Sequence, residues 1–290
     1  MGNKVKSNIA IICAACLLCG VLCGFSVPQG AAADLEADPG TDDRIDVYVD
    51  GILTTTGYVV GGQAVYISVS DFCSALKLAY APIGAGDDGL CASFGEMTLC
   101  VPGSGDYMTA NGRYFYLPYR AQVFNGEYCL PAEELSKLVC AEVQWDAATA
   151  SIDIDTTNMG EIQNGDSFYN ADDLKWLSRI IGAESGNQTL EGMMGVGNVV
   201  LNRVADPDCP DTVYGVVFDT RYGVQFSPVE TGSIYLEPSD EAVVAAKLCL
   251  EGYNVAGESL YFVNPQTGST AWFRETRTFV VTIGDHDFYA

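Results

Sequence analysis

The chain has 290 residues, 48% hydrophobic and 18% charged, which supplies apolar material for one large core or two small ones and excludes a chain that is disordered throughout. Lys and Arg number 14 against 38 Asp and Glu, a formal charge of -24. Phosphate binding rests on clustered Lys and Arg, and the sequence has no such basic run, so nucleic acid is excluded as a partner.

The first 33 residues read as a secretory signal peptide. Lys4 and Lys6 make a basic n-region, Ile9 to Val27 an apolar h-region, and Ala31-Ala32-Ala33 an A-x-A cleavage site. The alternative is an uncleaved membrane anchor, because the apolar run approaches spanning length. Cys19 and Cys23 each follow a Leu, which disfavours lipid attachment. The expected location is secreted, extracellular or in the cell wall. Seven cysteines follow the signal peptide: Cys73, Cys91, Cys100, Cys129, Cys140, Cys209 and Cys249. An odd number with no C-x-x-C spacing is not a disulfide-dense scaffold. Pairing of Cys91 with Cys100 is one reading, and packing as small apolar residues is the other.

Residues 34–44 are an acidic lead-in. From Ile45 to about 155 the text is β-rich and broken by turn signals: Asp50-Gly51, Asn111-Gly112 and Asn125-Gly126. "QAVYISVSDFCSALKL" predicts a strand and a short helix capped near Ser70 or Asp71. A weak repeat sets Tyr66-Ile67-Ser68 against Tyr128-Cys129-Leu130 and Asp71–Leu76 against Glu133–Leu138, a β-β-β-α unit used twice. The stretch "NGEYCLPAEELSKLVCAEVQWDAATASIDI" resembles the copper amine oxidase-like N-terminal repeat domain. That resemblance, over residues 45–155, implies a wall-associated module. This half has no histidine, so no copper site is expected.

Residues 156–170 predict a polar linker, and residues 171–290 a second, α+β domain of helices followed by a small antiparallel sheet. Its first helix, "DDLKWLSRIIGAE", is capped by Asn170 or Asp172 and ended by Gly186-Asn187. A second runs from near Thr189 to Val204, thinned on one side by Gly192, Gly195 and Gly197. A third follows Pro238-Ser239. On the first helix Leu174, Leu177 and Ile181 form an apolar stripe that Glu184 continues. Burial favours the protonated carboxyl, the form a general acid needs to protonate a glycosidic oxygen. The alternative is a frayed helix end with Glu184 in water.

Four blocks, "LSRIIGAESGNQTLEGMMGVGNVVLNRV", "QFSPV", "SLYFVNP" and "IGDHDFY", resemble the catalytic domain of the SleB-type cell wall hydrolases, the spore cortex-lytic enzyme family. The resemblance implies a fold like lytic transglycosylases and goose-type lysozymes. It implies cleavage of the N-acetylmuramic acid–N-acetylglucosamine bond in peptidoglycan with a 1,6-anhydro product. It also implies Glu184 as the catalytic acid. Many members read A-E-A-R-G-E, and here the second acid position is Gln188. An ordinary two-carboxylate hydrolase would then need another partner, for which Glu191 and Glu230 are nearest in sequence. Gln225, Ser227, Tyr261, Asn264 and Trp272 are the expected substrate-binding residues, with Gln225 and Ser227 alternating with apolar Val224 and Phe226.

His286 is the only histidine. It has no G-x-S-x-G context for a triad and cannot alone hold the zinc of an amidase, so it is expected to fix the end of the last strand. No metal or organic cofactor is expected. The expected partner is the glycan strand of peptidoglycan, with a membrane only through an uncleaved signal segment. The alternatives to a lytic transglycosylase are a hydrolytic muramidase or amidase, or an inactive wall-binding protein.

Overall fold

The structure, a computed structural model, describes residues 44–62, 64–86, 89–266 and 270–290. The expected signal peptide and most of the acidic lead-in lie outside them. In the N-terminal half, β1 (Arg44–Val49), β2 (Ile52–Val60) and β3 (Ala64–Ser68) form an antiparallel meander that leads into helix α1 (Val69–Ala75). Strands β4 (Tyr80–Gly86), β5 (Gly89–Phe94), β6 (Met97–Pro102), β7 (Tyr107–Ala110) and β8 (Arg113–Tyr116) make a separate five-stranded meander. Then β9 (Gln122–Phe124) and β10 (Glu127–Pro131) lead into α2 (Ala132–Lys137), followed by β11 (Glu142–Asp146) and β12 (Ser151–Asp155). The first sheet has the order β11-β12-β1-β2-β3-β10-β9, parallel only where β1 meets β12.

The three predicted turns fall between β1 and β2, β7 and β8, and β9 and β10. Each puts two consecutive residues at positive φ, the requirement of a two-residue hairpin that follows strand twist: Asp50-Gly51 at +51° and +75°, Asn111-Gly112 at +50° and +75°, Asn125-Gly126 at +53° and +81°. Ser68, rather than Ser70 or Asp71, caps α1, its Oγ accepting from the Asp71 N–H at 3.4 Å. The strands entering α1 and α2 pair with each other, Ile67 opposite Leu130. The hairpins at Asp50-Gly51 and Asn111-Gly112 belong to different sheets. Cys91 and Cys100 face each other on β5 and β6 and are disulfide-bonded. Cys73, Cys129 and Cys249 are buried thiols that pack as apolar groups.

The C-terminal half begins with α3 (Gly165–Phe168), α4 (Ala171–Ser185) and α5 (Leu190–Ala205). Short helices α6 (Val213–Val217) and α7 (Ser227–Thr231) precede α8 (Asp240–Leu250). Strand β13 (Tyr261–Val263), helix α9 (Ala271–Thr276), β14 (Phe279–Ile283) and β15 (His286–Tyr289) complete it, with β15 central in an antiparallel sheet. Side-chain oxygens of Asn170, Thr189 and Ser239 cap α4, α5 and α8. Leu177, Ile180, Ile181, Met194, Val196, Val200, Ala245 and Leu248 form the core between these helices.

Residues 156–170 touch both halves. Asn111 Nδ2 donates to the Ile162 carbonyl at 2.9 Å, and the Gly165 N–H to the Asn111 carbonyl at 2.9 Å. A Cβ at Gly165 would stand 2.1 Å from the Gly112 oxygen, so this approach requires glycine. The Tyr169 hydroxyl donates to Glu251 at 2.6 Å. Glu251, just past α8, has a side chain only 2% exposed, and Arg113 of β8 holds it through both carboxylate oxygens, Nε to Oε1 at 2.9 Å. Two more hydroxyl–carboxylate contacts join the halves, Tyr253 donating to Glu134 and Tyr116 to Glu191.

Removing one partner of a buried ion pair strands the other charge. Arg113→Ala is therefore expected to cost about 3–5 kcal/mol in urea unfolding. Adding Glu251→Gln to it should recover much of that loss. A cost under about 1 kcal/mol, the range of solvated pairs, would refute the assignment.

Candidate active site

Glu184 lies in the last turn of α4. Leu177 and Ile181, two turns and one turn earlier on the same stripe, are fully buried, and Glu184 itself is half-buried. The helix does not fray there: Ser185 is fully buried, with its Oγ donating to the Ile181 carbonyl at 2.8 Å. Among the described residues the Glu184 carboxyl has no hydrogen-bond or ion-pair partner. Burial raises its pKa above the ordinary glutamate value. The partial negative charge at a helix C-terminus acts in the same direction.

The turn after Glu184 is fastened to the sheet by Gln188. Its Nε2 donates to Asp285 Oδ2 at 3.0 Å and its Oε1 accepts from the Asp285 N–H at 3.0 Å. Asp285 sits in the β14–β15 hairpin beside Gly284, where a Cβ would lie 2.5 Å from Gln188 Oε1. The amide thus meets a donor and a carboxylate acceptor at once, which a glutamate at this position cannot do. Glu191 opens α5 and accepts from Tyr116 of the N-terminal half, and Glu230 is exposed on α7.

A cleft in this half is lined by Arg203, Asp208, Cys209, Asp219, Arg221, Tyr222, Gln225 and Tyr261, among others. It brings together two of the expected binding residues, Gln225 and Tyr261. Gln225 is exposed, its Nε2 donating to the Gly223 carbonyl at 3.0 Å. Tyr261 packs edge-on to Trp272, ring centroids 6.4 Å apart, and Trp272 is 49% exposed. Glu184, Ser227, Asn264 and Trp272 do not line this cleft. Ser227 is the exposed first residue of α7, where a Pro follows and the expected strand-like alternation stops. Asn264 turns the chain after β13, accepting from the Gln266 N–H at 2.9 Å. His286 is buried on β15 against the Phe262 ring, 5.4 Å between centroids, and burial lowers its pKa. Tyr222, 87% exposed, and Arg203 were not expected in the cleft.

Two relations within the sheet place the Gln188 anchor relative to Tyr261. Asp285, which holds Gln188, precedes β15, and Tyr289 at the other end of β15 pairs with Tyr261. Four residue steps of strand, about 13 Å, separate Asp285 from Tyr289.

Residues 187–289 match the profile of the Cell Wall Hydrolase family. The C-terminal half carries a cell wall hydrolase domain. The match begins three residues after Glu184. A spore cortex-lytic enzyme of Oceanobacillus iheyensis is 35% identical over 120 residues, 41% of this chain and 42% of that protein. One of Bacillus subtilis is 30% identical over 120 residues, 41% of this chain and 38% of that protein. The solved catalytic domain of the germination-specific lytic transglycosylase SleB from Bacillus anthracis is 33% identical. It covers 44% of this chain and 100% of that domain, with a TM-score of 0.39. The chain spans less than half the length of these curated relatives.

In the hydrolase domain Gln188→Glu loses one donor and sets two carboxylates together. Above the carboxylate range the variant is expected to lose about 1–3 kcal/mol in urea unfolding, and less in acid where one group protonates. Glu184 has a raised folded pKa, so its contribution to stability is present below the ordinary glutamate range and lost as pH rises through the raised value. Glu184→Gln cannot ionise. Its Tm at neutral pH should exceed the parent's by on the order of a few degrees, with the gap closing in acid. An equal Tm at both pH values would show that the carboxyl is solvated.

Proposed function

We propose that this protein is a secreted peptidoglycan-degrading enzyme that cleaves the bond between N-acetylmuramic acid and N-acetylglucosamine as a lytic transglycosylase. The observation that carries this reading is the unpartnered, half-buried carboxyl of Glu184 at the end of α4, four residues before the Gln188 that ties the turn to the sheet. A carboxyl in this setting holds its proton to higher pH than a solvated glutamate does. Its proton passes to the glycosidic oxygen as the bond from the muramyl C1 breaks, and the sugar beyond leaves as a neutral alcohol. The muramyl 6-hydroxyl then attacks C1 and returns its proton to the Glu184 carboxylate. The ring closes as a 1,6-anhydro sugar, no water is consumed, and the enzyme is restored.

One carboxyl serves as acid and then base, so no second acid is required at position 188. Retaining hydrolysis would need a second carboxyl within about 5–5.5 Å, and inversion one within about 6.5–9.5 Å. In support of the single-acid route, Gln188 is an amide and Glu191 is engaged by Tyr116. Gln225, Ser227, Tyr261, Asn264 and Trp272 are assigned to binding the glycan, with the aromatic rings as platforms for sugar faces. Residues 45–155 are read as the wall-associated, copper amine oxidase-like repeat module, and residues 1–33 as the signal peptide that delivers the protein to the wall. The printed names of the relatives favour spore cortex as the target.

Purified peptidoglycan digested by residues 37–290, which form one compact unit, should release muropeptides with anhydro-muramic ends. Glu184→Gln should release none, a loss of about a thousandfold or more in rate, consistent with removal of an essential acid. Reducing ends from the parent protein would make it a hydrolase. Turnover by Glu184→Gln would exclude Glu184 as the acid.

A further inference from the structure

The β7–β8 hairpin of the N-terminal half is used on both faces. Met108, Ala110 and Phe115 enter the core of their own half. Tyr107, Tyr114 and Tyr116 alternate with them and pack into the helical core of the hydrolase half, where Tyr116 is only 7% exposed. Lys247 of α8 sits over Tyr114, its Nζ 4.4 Å from the ring centre. Successive side chains of a strand point to opposite faces, so this one hairpin belongs to two cores at once.

Tyr116 also reaches the turn between α4 and α5. Its hydroxyl donates to Oε1 of Glu191, in the first turn of α5. Burial, and then the neighbouring carboxylate, raise the pKa of this hydroxyl, so it stays a donor. Glu191 is exposed, and the contact it makes is to the other half of the chain rather than to its own. The segment from Glu184 to Glu191 is short and closely packed. The Gln188 N–H donates to the Ser185 carbonyl at 2.9 Å. The Gly192 N–H donates to Thr189 Oγ1 at 3.3 Å, and a Cβ at Gly192 would stand 2.8 Å from Gln188 Cβ. A shift of Glu191 is therefore passed to Gln188 and on to the end of α4. The segment has two anchors outside its own helices, Gln188 on Asp285 and Glu191 on Tyr116. A turn held at one point can pivot about it, and the second anchor removes that freedom.

We propose that Tyr116 is a positioning residue for the cleavage reaction: by holding Glu191 it fixes the α4–α5 turn that carries Glu184, which makes the N-terminal half part of the catalytic unit as well as a wall module. This rests on the glycan-cleaving reading above. It gives Glu191 the role of an anchor and not of a second acid.

The test compares variants of residues 37–290 on soluble cortex glycan of one chain length, at a temperature where circular dichroism shows each to be fully folded. Tyr116→Phe keeps the buried ring and removes only the donor. It should lower kcat about tenfold with KM within about twofold of the parent's, because misplacing an acid costs turnover rather than binding. Glu191→Ala should do the same, and the double variant should be no slower than either single one, since both remove one contact. Glu191→Gln retains an acceptor oxygen for the hydroxyl and should keep kcat within about threefold of the parent's. Tyr253→Phe removes the matching contact to Glu134, which is not on this turn, and should leave kcat unchanged. An unchanged kcat in Tyr116→Phe would overturn the inference. So would an equal loss in Tyr253→Phe, which would mark a general loosening of the join. A loss in Glu191→Gln as deep as that in Glu184→Gln would make Glu191 an acid in the reaction and would overturn it too. Reducing ends from a parent whose variants keep the expected order would overturn the transglycosylase reading and leave the anchor standing. No turnover by the parent would overturn both.

Discussion

Close approach on two faces of α5 is the constraint on which the hydrolase domain depends. A Cβ at Gly195 would stand 2.6 Å from the Phe288 ring, and one at Gly197 would stand 2.8 Å from both Ile181 Cδ1 and Cys249 Sγ. The first contact brings the sheet against the helix, and the second brings in α4 and α8. Two residues apart on a helix point about 200° apart, so α5 is thin on opposite sides rather than on one. Bulk at either position would push a neighbour outward. Because α4 carries Glu184 and the sheet carries the Gln188 anchor, either displacement would shift Glu184 relative to Asp285.

The join between the halves follows a related logic. Glu251 is buried at the end of α8, and the cation that pairs with it, Arg113, reaches it from β8. The Arg113 guanidinium also lies 3.7 Å from the Phe168 ring centre, so the charge is covered on one face by an aromatic from the connecting segment. Tyr169 adds a second donor. Three pieces of chain thus meet on one carboxylate. Such a pair contributes little net stability against an apolar substitute, but it strongly penalises separation. Its physical consequence is a fixed join, since parting the halves exposes both charges to different surroundings at once.

Local chemistry was legible in the sequence, and long-range chemistry was not. Asn170, Thr189 and Ser239 announce helix starts because a capping oxygen acts within three residues. The x-Gly turns announce hairpins because positive φ is a property of the dipeptide. The position of Glu184 followed from helical periodicity, and its half-burial lies between the buried stripe and the solvated end that the spacing allowed. The role of Gln188 had no local signal, because Asp285 is 97 residues away. Arg203 and Tyr222 were missed for the same reason: one ends a helix, the other sits in a loop, and only the folded chain sets them around Tyr261. The alternation of Gln225 and Ser227 failed as a strand signal because Pro228 starts a helix there.

The amide at position 188 also bears on the acid itself. In the proposed reaction Glu184 must give up a proton and then take one back, which requires that neither form be strongly favoured. Burial without a partner raises its pKa without fixing it in the neutral state. A second carboxylate near Glu184 would add like-charge repulsion and hold the proton more tightly. The two groups would then titrate as a pair. Gln188 does the structural work of tying the turn to the sheet through neutral hydrogen bonds. It adds no charge of its own to those that set the protonation of Glu184. The departure from the two-acid text is therefore coherent with a single-acid mechanism, and the same hydrogen bonds explain why the position cannot simply be apolar.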